Sequence, residues 1–331
     1  SRRRHTRSPQ VSWARRCVSV TATKLVADFG GTHLRIGFSD GFSVTRLSKV
    51  RYSSGVSSLE LISDYAKNYN KKIEQIRICA AGPVENDKIE ITNSNLIISK
   101  KEFMDFFKIS DVCIFNDAEA ACYYLPEIKP SSYSTINSIE SKNQNFAYIA
   151  LGTGLGVSCV KQHNNKSIVI SGEGGYCHIP YPSKKNTSRD VMDIIENDYP
   201  RVSSERLISG PGIALIYEAL SKINNSNLKL TSEKIVANAI ANKRGLEFEA
   251  CKILFELLGK FAASVALIYG ARGGIFLSGG LLERLYGILP NDLILKNFLI
   301  PGRMKNYVKQ IPLHIINDDL ISLMGCVVYK K

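Results

Sequence analysis

No two of the eight cysteines form a CxxC pair, and no apolar run is long and uninterrupted enough to cross a membrane. The missing pairs exclude a zinc ribbon and a disulfide framework. Cys17, Cys79, Cys113, Cys122, Cys159, Cys177, Cys251 and Cys326 read instead as residues of a reducing compartment, with Cys79, Cys113 and Cys159 inside apolar stretches. The longest apolar segment, 253–269, is broken by Glu256, Gly259 and Lys260 and predicts a buried helix. No segment ahead of residue 25 reads as a helix-turn-helix.

Acidic residues are absent from residues 1–24, where Arg2, Arg3, Arg4, Arg7, Arg15, Arg16 and Lys24 carry seven of the thirteen net positive charges. The other 307 residues hold 36 basic and 30 acidic side chains, and no stretch interleaves arginine with aromatics. Neither a nucleic-acid face nor a membrane surface is expected. The leader, 1–24, is Arg- and Ser-rich like an organellar transit peptide but lacks an amphipathic face, so a disordered tail or a translated upstream extension is the alternative. Cytoplasmic placement is expected, or organellar placement if the leader is a transit peptide. With 331 residues and 44% hydrophobic content, the chain has room for two domains of ordinary size.

What is present centres on 25–38, LVADFGGTHLRIGF. An apolar run, a turn at Asp28–Thr32 and alternation at Leu34, Ile36 and Phe38 predict a β-hairpin. Gly30 and Gly31 let backbone N–H groups approach an anion, and Thr32 adds a hydroxyl donor. A strand follows this turn, whereas a Walker loop or a dinucleotide fingerprint opens a helix. Asp28 would repel a bare phosphate, so its useful role is to hold a Mg²⁺ through water. The plain alternative is a hairpin turn in which the glycines supply positive φ and Asp28 accepts backbone bonds.

Further on, strands and helices alternate, with a buried strand at 111–115 ending in Asn116-Asp117 before a helical segment at 118–125. Polar pairs at strand carboxyl ends are where α/β sheets bind ligands. Residues 126–145 are rich in Ser, Asn and Lys and suggest a lobe boundary or surface loop. A second hairpin then follows: strand 146–151, the turn Gly152-Thr153-Gly154-Leu155-Gly156 and strand 157–160. Two phosphate-sized turns facing each other would grip a nucleoside triphosphate; two unrelated turns are the bland alternative. A loop at 171–175, an SGPG turn at 209–212 leading into a helix, a Thr231-capped helix and a long helix at 246–269 come next. The strand at 274–280 ends in Gly279-Gly280, which leaves room for a flat ring such as adenine or serves tight packing.

The segments LVADFGGTHLRIG (25–37), AAGPV (80–84), ITN (91–93), IFND (114–117), LGTGLGV (151–157), SGEGG (171–175), SERLISGPG (204–212) and GGIFLSGG (273–280), in this order, resemble the bacterial-type glucokinase family of the actin/hexokinase-like ATPase superfamily. The resemblance implies an α/β, two-lobed actin/hexokinase-like (RNase H-like) fold, with mixed β-sheets flanked by helices and an interdomain cleft. It implies a small domain of 25–127 plus about 315–331 and a large one of 128–314. It implies ATP-dependent phosphorylation of glucose at the 6-hydroxyl, with ATP and Mg²⁺ as cofactors and ATP and a hexose as small-molecule partners. A homodimer is one open assembly, since the sequence is silent on oligomeric state. Asp28, Gly30, Gly31 and Thr32 would form the first phosphate loop, and Gly152, Thr153, Gly154 and Gly156 belong to the second. Gly279 and Gly280 would border the adenosine, with Ser209 and Gly210 nearby. Asn116 and Asp117 match a sugar-binding Asn and the catalytic base, Glu173 and Glu205 match sugar-hydroxyl ligands, and Asn93 keeps its place.

The departures touch the sugar side. Tyr176 stands where the family has a histidine, His33 follows GGT in place of Asn, and Leu96 replaces a common aromatic. Tyrosine donates and accepts one hydrogen bond at a different reach, so another hexose or an aminosugar is an alternative substrate. His178 lies two residues on and reads as a surface histidine. A non-catalytic sugar-binding regulator of the same fold is the third reading. The related repressor/open-reading-frame/kinase group is disfavoured, because only Cys177 occurs where that group clusters zinc-binding cysteines.

Overall fold

The computed structural model describes residues 23–331 apart from 54, 92–94, 138, 142–144, 165, 183–185, 291 and 300–301. The leader through residue 22, with Cys17, and the sugar-side Asn93 lie outside the described residues.

The amino-terminal half contains strands β1 (Lys24–Phe29), β2 (His33–Ser39), β3 (Val44–Arg51) and β4 (Gln75–Ala80), then β5 (Val84–Glu85), β6 (Lys88–Ile91), β7 (Leu96–Ser99) and β8 (Val112–Asn116). Helix α1 (Ser58–Ala66) joins β3 to β4, α2 (Lys100–Phe107) follows β7, and α3 (Asp117–Tyr124) follows β8. A five-stranded sheet has the order β3-β2-β1-β4-β8, and β5-β6-β7 form a small second sheet. β1, β4 and β8 are mutually parallel, while β2 and β3 turn back antiparallel. All six residues of β1 are buried, as expected of a central strand covered on both faces.

The other half contains β9 (Tyr133–Thr135), β10 (Asn145–Leu151), β11 (Leu155–His163), β12 (Lys166–Gly172), β13 (Gly274–Ser278) and β14 (Leu313–Ile316), in the sheet order β12-β11-β10-β13-β14-β9. Around it run α4 (Thr187–Asp198), α5 (Ser204–Leu207), α6 (Gly210–Ile223), α7 (Ser232–Ala241), α8 (Gly245–Tyr269), α9 (Gly280–Tyr286), α10 (Leu293–Phe298) and α11 (Lys305–Val308). The long α8 is the apolar axis of this half: Leu254, Leu258, Phe261 and Ala262 sit in one core with Ile149, Ile213 and Leu277. It stops where Gly270 takes a left-handed conformation, with φ at +55°. Among the described residues, no helix is long and apolar enough to cross a membrane.

The final helix, α12 (Ile321–Val328), leaves the second sheet and packs on the first. Leu323, Cys326 and Val327 join Val26, Cys79 and Phe115 in one cluster. Its approach to α3 requires Gly325, because a Cβ there would lie 1.7 Å from the Ala120 carbonyl oxygen.

Four segments differ from their sequence reading. The turn read at Asp28–Thr32 begins later, since Asp28 and Phe29 still belong to β1. The SGPG stretch is no separate turn: Gly210, Pro211 and Gly212 are the first turn of α6, capped by Ser209, which accepts a 3.1 Å bond from the Gly212 N–H. Proline fits there because the first helical N–H groups need no partner within the helix. The 171–175 segment is a loop only in its second half, since β12 runs to Gly172. Ser278, not Gly280, ends β13, because Gly280 already begins α9.

Candidate functional site

The residues singled out from the sequence gather where parallel strands end. Asp28 is the penultimate residue of β1, paired with Cys79 of β4, and Ala80 is paired with Asn116 at the end of β8. In the other sheet β10 ends at Leu151 and its parallel neighbour β13 at Ser278, so the Gly152 turn and Gly279 emerge side by side. Carboxyl ends of parallel strands leave backbone groups and following loops free to meet a ligand.

Neither Gly30 nor Gly31 has positive φ, so the first turn does not need glycine for its backbone conformation. Space is what distinguishes Gly31: a Cβ there meets nothing within 4 Å, and the same holds for Gly152 and Gly280. Each of these three positions leaves the backbone open to solvent, as a backbone approach to a phosphate requires. The Gly30 N–H bonds to the His33 carbonyl at 2.9 Å, and Thr32 pairs with His33 Nδ1 at 2.8 Å, which fixes the bend. Tyr52 donates its hydroxyl to the Gly30 carbonyl.

The second turn is tied down from below. Gly152 N–H reaches the Gly154 carbonyl at 3.0 Å, and the Gly210 N–H at the start of α6 reaches the Gly152 carbonyl at 2.8 Å. The positive end of α6 therefore adjoins a turn suited to anions. Gly154 leaves room for Glu205, whose Oε2 accepts from Leu155 N–H at 2.9 Å and would stand 2.7 Å from a Cβ on residue 154. Gly279 is of the packing kind: φ is +124° and a Cβ would lie 1.9 Å from the Leu151 carbonyl oxygen.

The start of α3 lies near both Asp28 and Glu173. Asn116 is its N-cap, accepting from Ala118 N–H at 2.9 Å and Glu119 N–H at 3.3 Å while its amide donates to the Gly82 carbonyl at 3.1 Å. One amide hydrogen of Asn116 remains for a ligand. Ala118, Ala120 and Ala121 then favour the helix and let it lie close to β11, where a Cβ on Gly156 would be 3.4 Å from that of Ala118. Asp117, half-buried, accepts from Ala118 N–H through Oδ1 at 2.8 Å. Removal from water, with Glu173 nearby, raises its carboxyl above the usual range despite that bond.

Asp28 is 6% exposed, and desolvation pushes its carboxyl up to about 6, with Asp117 adding to the rise and Arg35 opposing it. Its partners are distant: Arg35 Nη1 at 3.3 Å on Oδ2 and the Cys79 thiol at 3.5 Å on Oδ1. A buried carboxylate so loosely held, facing a second carboxylate, suits a hydrated divalent cation shared with phosphates. The described residues contain no cluster of three His, Cys, Asp or Glu, so a cation here would complete its shell with water and phosphate oxygen.

The sugar-side carboxylates converge as well. Tyr176, 55% exposed on a tight turn at 174–176, is bonded to Glu205 and lies close to Glu173, both of which raise its hydroxyl above the usual range, Glu205 the more. Gly174 and Gly175 permit that turn to lie on β11, since a Cβ on either would stand 2.9 Å from Val157 Cβ or 2.2 Å from the Leu155 carbonyl oxygen. Asp28, Asp117, Glu173, Tyr176 and Glu205 thus form one continuous line of neighbours ending at the second turn. His178 is exposed, and its partners are backbone ones in an isolated bridge to Ser203.

Two residues of this site escaped the sequence reading. Arg35 faces Asp28 directly across β1 and β2 and also reaches Asp319 at 3.1 Å. The signal was available, because a hairpin turning at 30–32 sets 28 opposite 35. Tyr148 is buried on β10, bonded to Ser278 and close to both Asp117 and Asp28, and burial raises its hydroxyl strongly. Nothing in the alternation of β10 marked it out.

The family model named Glucokinase matches residues 25–331. A glucokinase of Colwellia psychrerythraea is 29% identical over 92% of this chain and 95% of its own length. The crystal structure of a glucokinase from an Antarctic psychrotroph superposes with a TM-score of 0.82 at 26% identity, covering 92% of this chain and 98% of that one. A glucokinase of Balamuthia mandrillaris in complex with glucose shares the fold at 18% identity, with a TM-score of 0.74 and 92% of each chain covered.

Proposed function

The chain belongs to the glucokinase family, and from that premise we propose that it transfers the γ-phosphoryl group of ATP to the 6-hydroxyl of glucose with Asp117 as general base. A sugar hydroxyl is a poor nucleophile at neutral pH and needs a proton acceptor as it attacks phosphorus. Asp117 Oδ1 is engaged by Ala118 N–H, so Oδ2 is the oxygen that takes the proton. The raised carboxyl of Asp117 is closer to neutrality than an ordinary aspartate and so a stronger base.

The remaining roles follow the geometry. Gly31 and Thr32 face the phosphates with donors from one side and Thr153 and Gly154 from the other, while Gly30, Gly152 and Gly156, the first two with N–H groups already bonded within their turns, leave room for them. Ser209 and Gly210 support the second turn, and the open face at Gly280 beside the tightly packed Gly279 takes the adenosine. Asn116, Glu173 and Glu205 hold sugar hydroxyls, for which carboxylates are apt because each accepts two hydrogens. Tyr176 belongs to the same rim, and Asn93 is assigned to the sugar by its sequence motif alone. Asp28 would hold Mg²⁺ through water, and the ion when bound offsets charge on the phosphoryl oxygens. We further assign residues 25–127 with about 315–331 to one lobe and 128–314 to the other, the packing of α12 on β1 and β4 supporting that division.

The observation that carries the reading is that Asp117 opens α3 at the carboxyl end of β8, close to Asp28 of β1 and to Glu173. Tyr176, half-exposed and bonded to Glu205, favours one further point: the protein tolerates hexoses other than glucose at that rim. A coupled assay of ADP release across glucose, mannose and glucosamine, with wild type and Asp117→Ala, tests both. Glucose turnover that falls by roughly 10²–10⁴-fold in the variant while glucose binding persists is expected. Unimpaired turnover in Asp117→Ala would overturn the base.

A further inference from the structure

At the end of the first sheet away from Asp28, Lys24 of β1 and Arg77 of β4 share a cavity of about 340 Å³ with Lys330 and Lys331. We propose that this cavity is a second ligand site, one that binds the phosphate group of a small anion.

Four cations meet there, and the carboxylates near them are Asp40 on the cavity wall and Asp111 behind Arg77. Lys24 is almost wholly buried and has two carbonyl acceptors, those of Val327 at 2.9 Å and Tyr329 at 3.0 Å. One ammonium hydrogen is left for a ligand. Burial, with Arg77 and Lys330 close by, draws its ammonium below the usual lysine range. Arg77 is 1% exposed; its Nη1 and Nη2 serve the Ile76 and Asp111 carbonyls and the Asp111 carboxylate, while the buried Nε has no partner among the described residues.

Buried cations that lack a full set of acceptors are costly unless an anion completes them. An oxyanion with several acceptors would take Lys24 from inside and the two exposed lysines from outside. The negative end of α12 does not oppose it, because Lys24 already covers the Val327 and Tyr329 carbonyls. Asp40 opposes it in part: its carboxyl, held low by the Phe42 and Ser43 N–H groups, stays ionised. The wall also carries the rings of Phe42, 77% exposed, and Tyr329, which suit an organic group attached to the phosphate.

Calorimetric titration of the full chain tests the site, with glucose and a non-hydrolysable ATP analogue saturating the catalytic cleft. The probes are inorganic phosphate and phenyl phosphate, and the proteins are wild type, Lys330→Glu/Lys331→Glu and Lys24→Gln. Wild type is expected to bind, and the exposed double variant to bind roughly tenfold more weakly or worse with unchanged kcat and circular dichroism. Lys24→Gln is expected to weaken binding similarly. Tighter phenyl phosphate would identify an organic ester as the ligand type, and equal affinities a free oxyanion. Equal affinity in wild type and the double variant, or no binding to wild type with the cleft filled, overturns the proposal.

Discussion

Glu205 Oε2 accepts a 2.9 Å hydrogen bond from the backbone N–H of Leu155, so a carboxylate assigned to the sugar is fastened to a turn assigned to the nucleotide. On the proposed assignments, one residue serves both substrates. Glu205→Ala removes the acceptor and leaves Leu155 N–H without it. The KM for glucose and the KM for ATP are expected to rise together, each by roughly 10-fold or more, as for loss of a bond to a charged group. Glu205→Gln keeps a carbonyl acceptor for Leu155 and is expected to raise the glucose KM alone. Steady-state kinetics varying each substrate in turn separate the two outcomes.

Asp28 is held ionised at neutral pH at a cost in stability. Its carboxyl is raised from 3.8 to about 6 by desolvation, so the unfolded chain ionises first as pH rises. Stability is present below pH 3.8 and is lost between there and about 6, leaving the ionised form a cost of about 2–3 kcal/mol at pH 7.5. Asp28→Asn is expected to be more stable than wild type at pH 7.5 by up to that amount, with the gap closing below pH 4. Turnover is expected to fall at least roughly 100-fold, the scale on which losing a single positioned electrostatic group acts. Urea titrations at the two pH values, alongside ADP-release assays, check both halves.

His314 has the opposite pH signature. It is buried, hydrogen-bonded through Nδ1 to Thr135 and packed between the rings of Tyr133 and Phe276, and burial draws its imidazole down to about 4. The unfolded chain takes up the proton near 6.5, so stability is complete above that pH and declines as pH falls toward 4. Between pH 7.5 and pH 5 the loss from this group is about 2 kcal/mol. His314→Gln is expected to show a shallower decline over the same interval, read as the difference between unfolding free energies of the two proteins.

Gly279 and Gly280 are adjacent but differ in kind. Alanine at 279 would place its Cβ 1.9 Å from a carbonyl oxygen at φ +124°, and a destabilisation of about 3 kcal/mol is expected. Alanine at 280 meets no atom within 4 Å and is expected to leave the unfolding free energy within about 0.5 kcal/mol of wild type. If the adenosine lies there, the ATP KM of Gly280→Ala rises roughly tenfold, as when a fitted pocket gains a methyl group. Thermal unfolding and ATP saturation curves distinguish the pair.

The elements with strong alternation were legible in the sequence. β1, β2 and β10 have runs of buried apolar residues bounded by glycine turns, and α8 has an apolar length that only a core helix can use. β12 was not, because its outward Ile168 and Ile170 are exposed and break the alternation expected of a half-buried strand. The short helices α9 to α11 carry too few turns for a period to show. In the site, residues on turns next to apolar runs stood out by contrast, which is why Asp28, Asn116, Asp117 and the two glycine turns were named. Arg35 and Tyr148 lie within strands and contribute through partners far away in sequence, so only the assembled sheets bring them to Asp28 and Asp117.

The packing of α12 sets an order of events during synthesis. Val26, Cys79 and Phe115 have their apolar partners in Leu323, Cys326 and Val327. While the ribosome is still making the second half, one side of the first sheet stands uncovered. A sheet that emerges well before α12 is thus finished only after it, and a chain cut short before residue 321 would present that greasy surface to whatever chaperone or protease meets it first.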